Sequence, residues 1–595
     1  MITRMQISNF KAFSDMQTIP LKPITIIFGP NSSGKSSVIH SLLLARHGVD
    51  TQSLDATYPS IAGKSVDLGG FRQYIHRRNV ENRLQWVAGM NVSSLPSRLA
   101  SDLAKADKLS VHITAGLPFR VSDKKSQLSI PEGSPFTQTV EYRIDGEPFL
   151  QLTRGAPQTD FRVARLNREH AIFEPILQAM LLSSRAQAAL NEEDSKLLNE
   201  LIDSIVPHLA FPGTSDFLPG ADMDPDLLDS VSRPSLYDKN EDQFAKLGDL
   251  GRSVRLFLPR TLTRFHSGVH QALTGCLKSL SYLGPLRSVP PRHMAFAESG
   301  AFGHPAEGAA AWQELAANAE VRDKVNDWLS SEDRLKTPYQ LKLLEFVSEN
   351  ELDEIILRVV EEGAVEGAMS AFDAHILDDE SAVSGYASRD QAVHDHPPTE
   401  SDEDRATMGR ESMRDALESF CDYEEIKKRL HEEGVLRSGW RRPTDVTLVD
   451  MRKGTEVSHR DVGIGISQVL PVLVQAYASK QSLIAMEQPE IHLHPALQAE
   501  LGDVFIESAL GDNRNRFVLE THSEHLILRI LRRIRETSAN KNNSTPAITP
   551  DDIALLYVDP DGDGARIMDL RTDKRGRLMD RCPGGFFEED FEELF

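Results

Sequence analysis

The stretch Ile24-Thr25-Ile26-Ile27-Phe28-Gly29-Pro30-Asn31-Ser32-Ser33-Gly34-Lys35-Ser36-Ser37 decides how this chain is read. Gly29, Gly34, Lys35 and Ser36 hold the G-x-x-x-x-G-K-[ST] spacing of a phosphate-binding loop. The apolar run from Ile24 to Phe28 predicts a strand before the loop, and residues 36–46 predict a helix after it. Glycines let backbone N–H groups converge on phosphate, and a helix N-terminus adds the positive end of its dipole. Gly29, Pro30, Asn31, Ser32, Ser33, Gly34, Lys35, Ser36 and Ser37 are therefore the candidate nucleotide contacts. Lys35 suits the β- and γ-phosphates and Ser36 a Mg²⁺ ion. The chain is expected to bind a nucleoside triphosphate.

A phosphate loop alone does not define a mechanism. Far along the chain, Leu483-Ile484-Ala485-Met486 is apolar and ends in Glu487, followed by Gln488-Pro489-Glu490. Taken alone, this is an ordinary strand end. Beside a phosphate loop, Glu487 reads as the carboxylate that coordinates Mg²⁺. Upstream, Gly463, Gly465 and Ser467 open a predicted helix whose N–H groups suit a γ-phosphate. Downstream, Phe517-Val518-Leu519-Glu520-Thr521-His522-Ser523 predicts another strand, with His522 at its end in reach of a γ-phosphate.

At 595 residues the chain exceeds one compact core, and about two to four domains are expected. Hydrophobic residues at 40% and charged residues at 26% suit a globular chain. No apolar run of about 18 residues predicts a membrane span, and the start MITRMQISNF lacks a signal-peptide core. Cys276, Cys421 and Cys582 lie far apart without metal-ligand spacing, so a reducing, cytoplasmic setting is expected. A net charge of −23 argues against a generally basic surface and against strong nonspecific nucleic-acid binding. A local basic groove stays open, so nucleic acid is kept as a possible partner.

The expected layout has five parts. Residues 1–167 form an ATPase-type lobe with the phosphate loop and an antiparallel flap, built from alternating runs at 84–87, 109–114, 139–144 and 149–152. Residues 168–344 read as a helical middle. Residues 345–434 read as an acidic insertion, with a mobile linker at 378–410 between helices at 352–362 and 413–433. Residues 435–570 carry the second set of nucleotide motifs, and 571–595 form a tail. The fold class this predicts is α/β, a P-loop NTPase.

The order of phosphate loop, glycine-serine segment, acidic strand with Pro489-Glu490-Ile491-His492-Leu493-His494-Pro495, and strand with Thr521-His522-Ser523 resembles the ABC-type ATPases of the SMC, RecF and OLD group. The tail CPGGFFEEDFEELF and the segment Leu283-Gly284-Pro285-Leu286-Arg287 resemble a bacterial branch of that group often found in antiphage defence. The resemblance implies ATP and Mg²⁺ as ligands and two heads sandwiching two nucleotides. Gly463, Gly465 and Ser467 would then act on the nucleotide of the opposite head. Glu487 would serve the metal, His492 and His494 would lie in the loop that crosses the dimer, and His522 would be the γ-phosphate switch.

Two positions depart from the family pattern. The hydrolytic base is commonly a Glu beside the metal carboxylate, and here Gln488 stands there. An amide orients water but takes no proton, so slow hydrolysis is expected, or Glu490 substitutes. Gly463 stands where a serine is common. The function expected is a slowly hydrolysing ATPase that dimerises on nucleotide and controls a partner effector, a nuclease or toxin, in antiphage defence. The alternatives are a RecF-like DNA-repair clamp and, more weakly, an OLD-like nuclease built on Asp559, Asp561 and Asp563. That Asp-Gly cluster reads first as a hairpin turn. The Arg529, Arg532, Arg533 and Arg535 run reads first as a solvated helix face.

Overall fold

The computed structural model describes residues 1–120, 130–131, 133–173, 192–223, 247–288, 304–331, 334–345, 444–458, 462–540, 545–562 and 564–581. The chain divides into two units, Met1–Lys342 with Val446–Phe595, and Leu343–Asp445. The expected linker at 378–410, its flanking helices and the tail from Cys582 lie outside the described residues. So do Asp563 and parts of the expected helical middle, residues 174–191 among them.

The first unit is built on two sheets. Its antiparallel sheet contains β1 (Ile2–Ser8), β2 (Gln17–Pro20), β4 (Leu84–Asn91), β5 (Lys108–Gly116), β6 (Phe136–Ile144), β7 (Glu147–Thr153), β8 (Phe161–Leu166) and β9 (Ala210–Phe211). Their order is β9-β8-β7-β6-β5-β4-β1-β2. Alternating burial along β6 and β8 carries the period-2 pattern that marked these segments as strands.

The second sheet carries the phosphate loop. It runs β10 (Leu280–Leu283), β11 (Leu483–Glu487), β12 (Arg516–Glu520), β3 (Ile24–Phe28), β13 (Ile553–Asp561) and β14 (Gly564–Asp569). All neighbours are parallel except the terminal β13–β14 hairpin. Every residue of β3 and β11 is buried. Such continuous apolar runs are what a parallel sheet buried on both faces requires. Helices α1 (Ser36–Thr51), α2 (Gly248–Lys278), α3 (Ile464–Ala478), α4 (Pro495–Leu510) and α5 (Glu524–Ser538) belong to the same unit.

The strand expected before the loop is β3, and Leu21-Lys22-Pro23 separates it from β2, which belongs to the other sheet. The expected helical middle is not separate: β9 extends the antiparallel sheet, and β10 joins the parallel one. The acidic strand β11 does not neighbour β3, because β12 lies between them. The Asp559 cluster forms the expected hairpin, with Asp559 opposite Arg566 and Asp561 opposite Gly564.

Candidate nucleotide site

Gly29 and Gly34 hold the loop in a shape closed to other residues. Their φ values are 141° and 99°. A Cβ on Gly29 would sit 2.6 Å from the Val558 carbonyl oxygen, and one on Gly34 would sit 2.4 Å from Ala12 Cβ. Ala12 belongs to a tight turn in which Phe10 and Phe13 exchange backbone hydrogen bonds and are fully buried. The loop is thus pressed against β13 on one side and this turn on the other. Lys35 is 4% exposed, and its Nζ donates to the carbonyl oxygens of Gly29 at 3.1 Å and Pro30 at 2.6 Å. Burial lowers its pKa, against the pull of Glu520.

Parallel register puts Glu487 and Glu520 side by side at the ends of β11 and β12. Glu487 is buried and well partnered. Its Oε1 accepts from Tyr282 Oη at 3.1 Å and faces His40 Nε2 at 3.3 Å. Lys11 Nζ in turn donates to His40 Nδ1 at 2.6 Å. That bond leaves Nε2 as the ring's donor toward Glu487. Burial lowers the pKa of Lys11 to about 8 and also lowers that of His40.

Glu520 was missed as a site residue. It is 4% exposed, and the nearby Ser36 hydroxyl favours its charged form. Burial, with the charge of Glu487 beside it, pushes its carboxyl up to about 7. The available signal was its place directly before Thr521-His522 at the end of an apolar run.

Gln488 has φ 46°, and its backbone is pinned on both sides. Its N–H donates to Glu520 O at 2.7 Å, and its carbonyl accepts from Arg287 at 2.9 Å. Glu490, the expected substitute base, is engaged elsewhere: its Oε1 accepts from the His522 N–H at 2.7 Å. It therefore holds the turn that carries His522, which is half-buried with its pKa lowered by burial and then by Lys35. Arg287 links the two halves of the site. It is 6% exposed and donates to the carbonyls of Gln468, Glu487 and Gln488, while Gln468 Nε2 donates back to Arg287 O.

The glycine-serine segment opens α3 as expected, with Gly463 at its N-cap. Its three residues have different surroundings. Gly463 is exposed, and a Cβ there would meet nothing within 4 Å. Gly465 lies so close to the His492 carbonyl oxygen that a Cβ would come within 2.9 Å. Ser467 is buried at 5% exposure. His492, at φ 64°, and His494 are exposed, and the His494 ring caps α4 by accepting from Ala496 N.

The donor set fits a nucleotide-bound Mg²⁺. Ser36 and the carboxylates of Glu487 and Glu520 are hard oxygen ligands, and Glu520 Oε2 is buried with no hydrogen-bond partner. No group of three or more His, Cys, Asp or Glu among the described residues forms a metal site by itself. The arginine run of α5 is split: Arg529 and Arg533 both bind Asp503, which is 1% exposed, while Arg532, paired with Glu536, and Arg535 are exposed as expected of a solvated face. No described helix is long and apolar enough to cross a membrane.

Residues 1–69 match the family model described as "AAA ATPase domain". Residues 302–529 match the one described as "AAA domain, putative AbiEii toxin, Type IV TA system". No curated protein matches the chain. Among solved structures the chain is similar to an Smc head bound to the C-winged helix domain of ScpA, with 9% identity over 96% of this chain and 98% of that one, at TM-score 0.33. It is also similar to the Smc head with a coiled coil and joint from Pyrococcus yayanosii (13%, 96% and 97%, TM-score 0.29) and to the SMC head from Thermotoga maritima (8%, 96% and 99%, TM-score 0.31). The phosphate loop falls inside one matched ATPase region, and Gly463, Glu487 and His522 fall inside the other. The two stretches that hold the phosphate loop and Gly463, Glu487 and His522 therefore match AAA-type ATPase domains.

Proposed function

We propose that this chain is a slow ATP-driven switch. It binds ATP with Mg²⁺ and pairs with a second copy across the nucleotides. It passes that state to a partner effector, a nuclease or toxin, in antiphage defence. The observation that carries this reading is the pairing of a complete phosphate loop with a helix start whose N-cap, Gly463, stands open to solvent. Lys35 and the loop amides bind the phosphates, and Ser36 and Glu487 hold the ion. When bound, Mg²⁺ neutralises charge on the β- and γ-phosphates. Slow turnover follows from Gln488, whose amide cannot accept the proton of an attacking water. The match named for a toxin of a toxin–antitoxin system supports a defence setting. The DNA-clamp alternative gains nothing from α5, whose central arginines are spent on Asp503 and Glu536.

Lys35→Ala tests the base of the proposal. The side chain is a phosphate point charge, bonded only to loop carbonyls here. Calorimetric titration with ATP should show binding to the parent and at least about a tenfold loss in the variant, which corresponds to about 1.4 kcal/mol. Unchanged affinity in a folded variant would remove the phosphate-loop assignment.

A further inference from the structure

Glu520 belongs to none of the motifs that identified the site, yet it occupies the place beside the loop where Glu487 was expected. Its strand, β12, is the one that neighbours β3. Within that pairing Glu520 is the partner of Ile27, two residues before Gly29. Ser36, the hydroxyl assigned to the ion, follows Lys35 at the start of α1 and lies near enough to Glu520 to favour its charged form. Glu487 lies one strand further away, with Oε1 taken by Tyr282 and His40. Glu520 is 96% buried by its 4% exposure, and its Oε2 has no partner. Lys35, the nearest cation of the loop, donates to Gly29 and Pro30 carbonyls rather than to a carboxylate. Two buried carboxylates side by side repel each other, and the desolvation of each is costly unless something positive joins them. A divalent ion with phosphate ligands meets that need, since Mg²⁺ in nucleotide sites takes one or two carboxylates.

We infer that Glu520 is the second carboxylate of the divalent-cation site, holding the ion together with Ser36 and Glu487. The inference rests on the proposed ATP site, and it assigns the ion two protein carboxylates on adjacent strands instead of one.

The test uses the full chain and Mn²⁺ as the probe, followed by its electron paramagnetic resonance signal at saturating ATP. Nucleotide binding in EDTA is measured first for the parent, Glu520→Gln and Glu487→Gln. Failure of the parent to bind ATP both in EDTA and with Mg²⁺ present would sink the proposed function itself. With nucleotide bound, Glu520→Gln should weaken Mn²⁺ by between about 10- and 100-fold, and Glu487→Gln should do likewise. Mn²⁺ affinity within about twofold of the parent in Glu520→Gln, with Glu487→Gln impaired, would overturn this inference alone. So would unchanged Mn²⁺ affinity with a lost turnover, which would make Glu520 a proton acceptor instead. Thermal melting in EDTA gives an independent reading. Gln keeps the shape and removes the repulsion, so the metal-free variant should melt above the parent and gain less from Mn²⁺ with ATP. A lower melting temperature in EDTA would show that the carboxylate serves the fold rather than the ion.

Discussion

In the proposed mechanism turnover hinges on Gln488. Its backbone is held by Glu520 O and Arg287, so a change of amide to carboxylate alters chemistry more than position. General-base catalysis is worth on the order of 10²–10⁴-fold. Gln488→Glu is therefore expected to raise steady-state phosphate release by at least about tenfold over a slow parent. A fast parent slowed by the change would show that Gln488 is not at the base position. Lys35, Ser36 and Glu487 were legible because fixed spacing and apolar runs expose them. Glu520 was not, because its role depends on β12 lying between β3 and β11, and strand order is absent from local pattern. Ser467 was legible as part of a helix start, but its burial depends on what α3 packs against.

The clasp between α4 and α5 shows how one element's chemistry is decided by another. Read alone, Glu524–Ser538 is an amphipathic helix with a basic face. In the fold, Arg529 and Arg533 converge on Asp503 of α4, at 2.7 and 2.6 Å, and Glu500 and Glu536 complete the group. Burial works against the Asp503 carboxylate, but hydrogen bonds from Arg533 and Arg529 outweigh it and lower its pKa. Removing one partner of a buried ion pair leaves the rest uncompensated. Asp503→Asn should therefore cost about 3 kcal/mol in urea unfolding. A loss under about 1 kcal/mol would place these pairs in the weak class of surface bridges. The antiparallel flap was readable element by element, since alternation survives in each strand. The placing of β2 and β3 in different sheets was not, because strand pairing is set by distant segments rather than by local pattern.

Across the whole molecule, stability and association give two further tests. His266 in α2 is 1% exposed, accepts from Tyr142 Oη at 2.6 Å and donates to Gly220 O at 2.9 Å. Burial lowers its pKa from 6.5 to about 3. Between those values the unfolded chain binds a proton that the folded one refuses, so this residue's contribution is full above about pH 6.5 and erodes as pH falls. The stability gap between the parent and His266→Gln should narrow by about 1.4 kcal/mol per pH unit below that point; a constant gap would show that His266 is not held neutral. The central claim, that two copies share each nucleotide, is tested by mixing variants. Gly463 is the position to change, because an added side chain there meets nothing, and Asp is a favourable N-cap whose charge opposes a phosphate. Ser467, buried within its own chain, would only report misfolding. Lys35→Ala and Gly463→Asp should each lack ATPase activity, since every dimer of one variant carries the same defect in both sites. Mixed, they should regain activity, because a heterodimer holds one site with an intact loop and an intact partner helix. A mixture no more active than either variant alone would contradict the shared site.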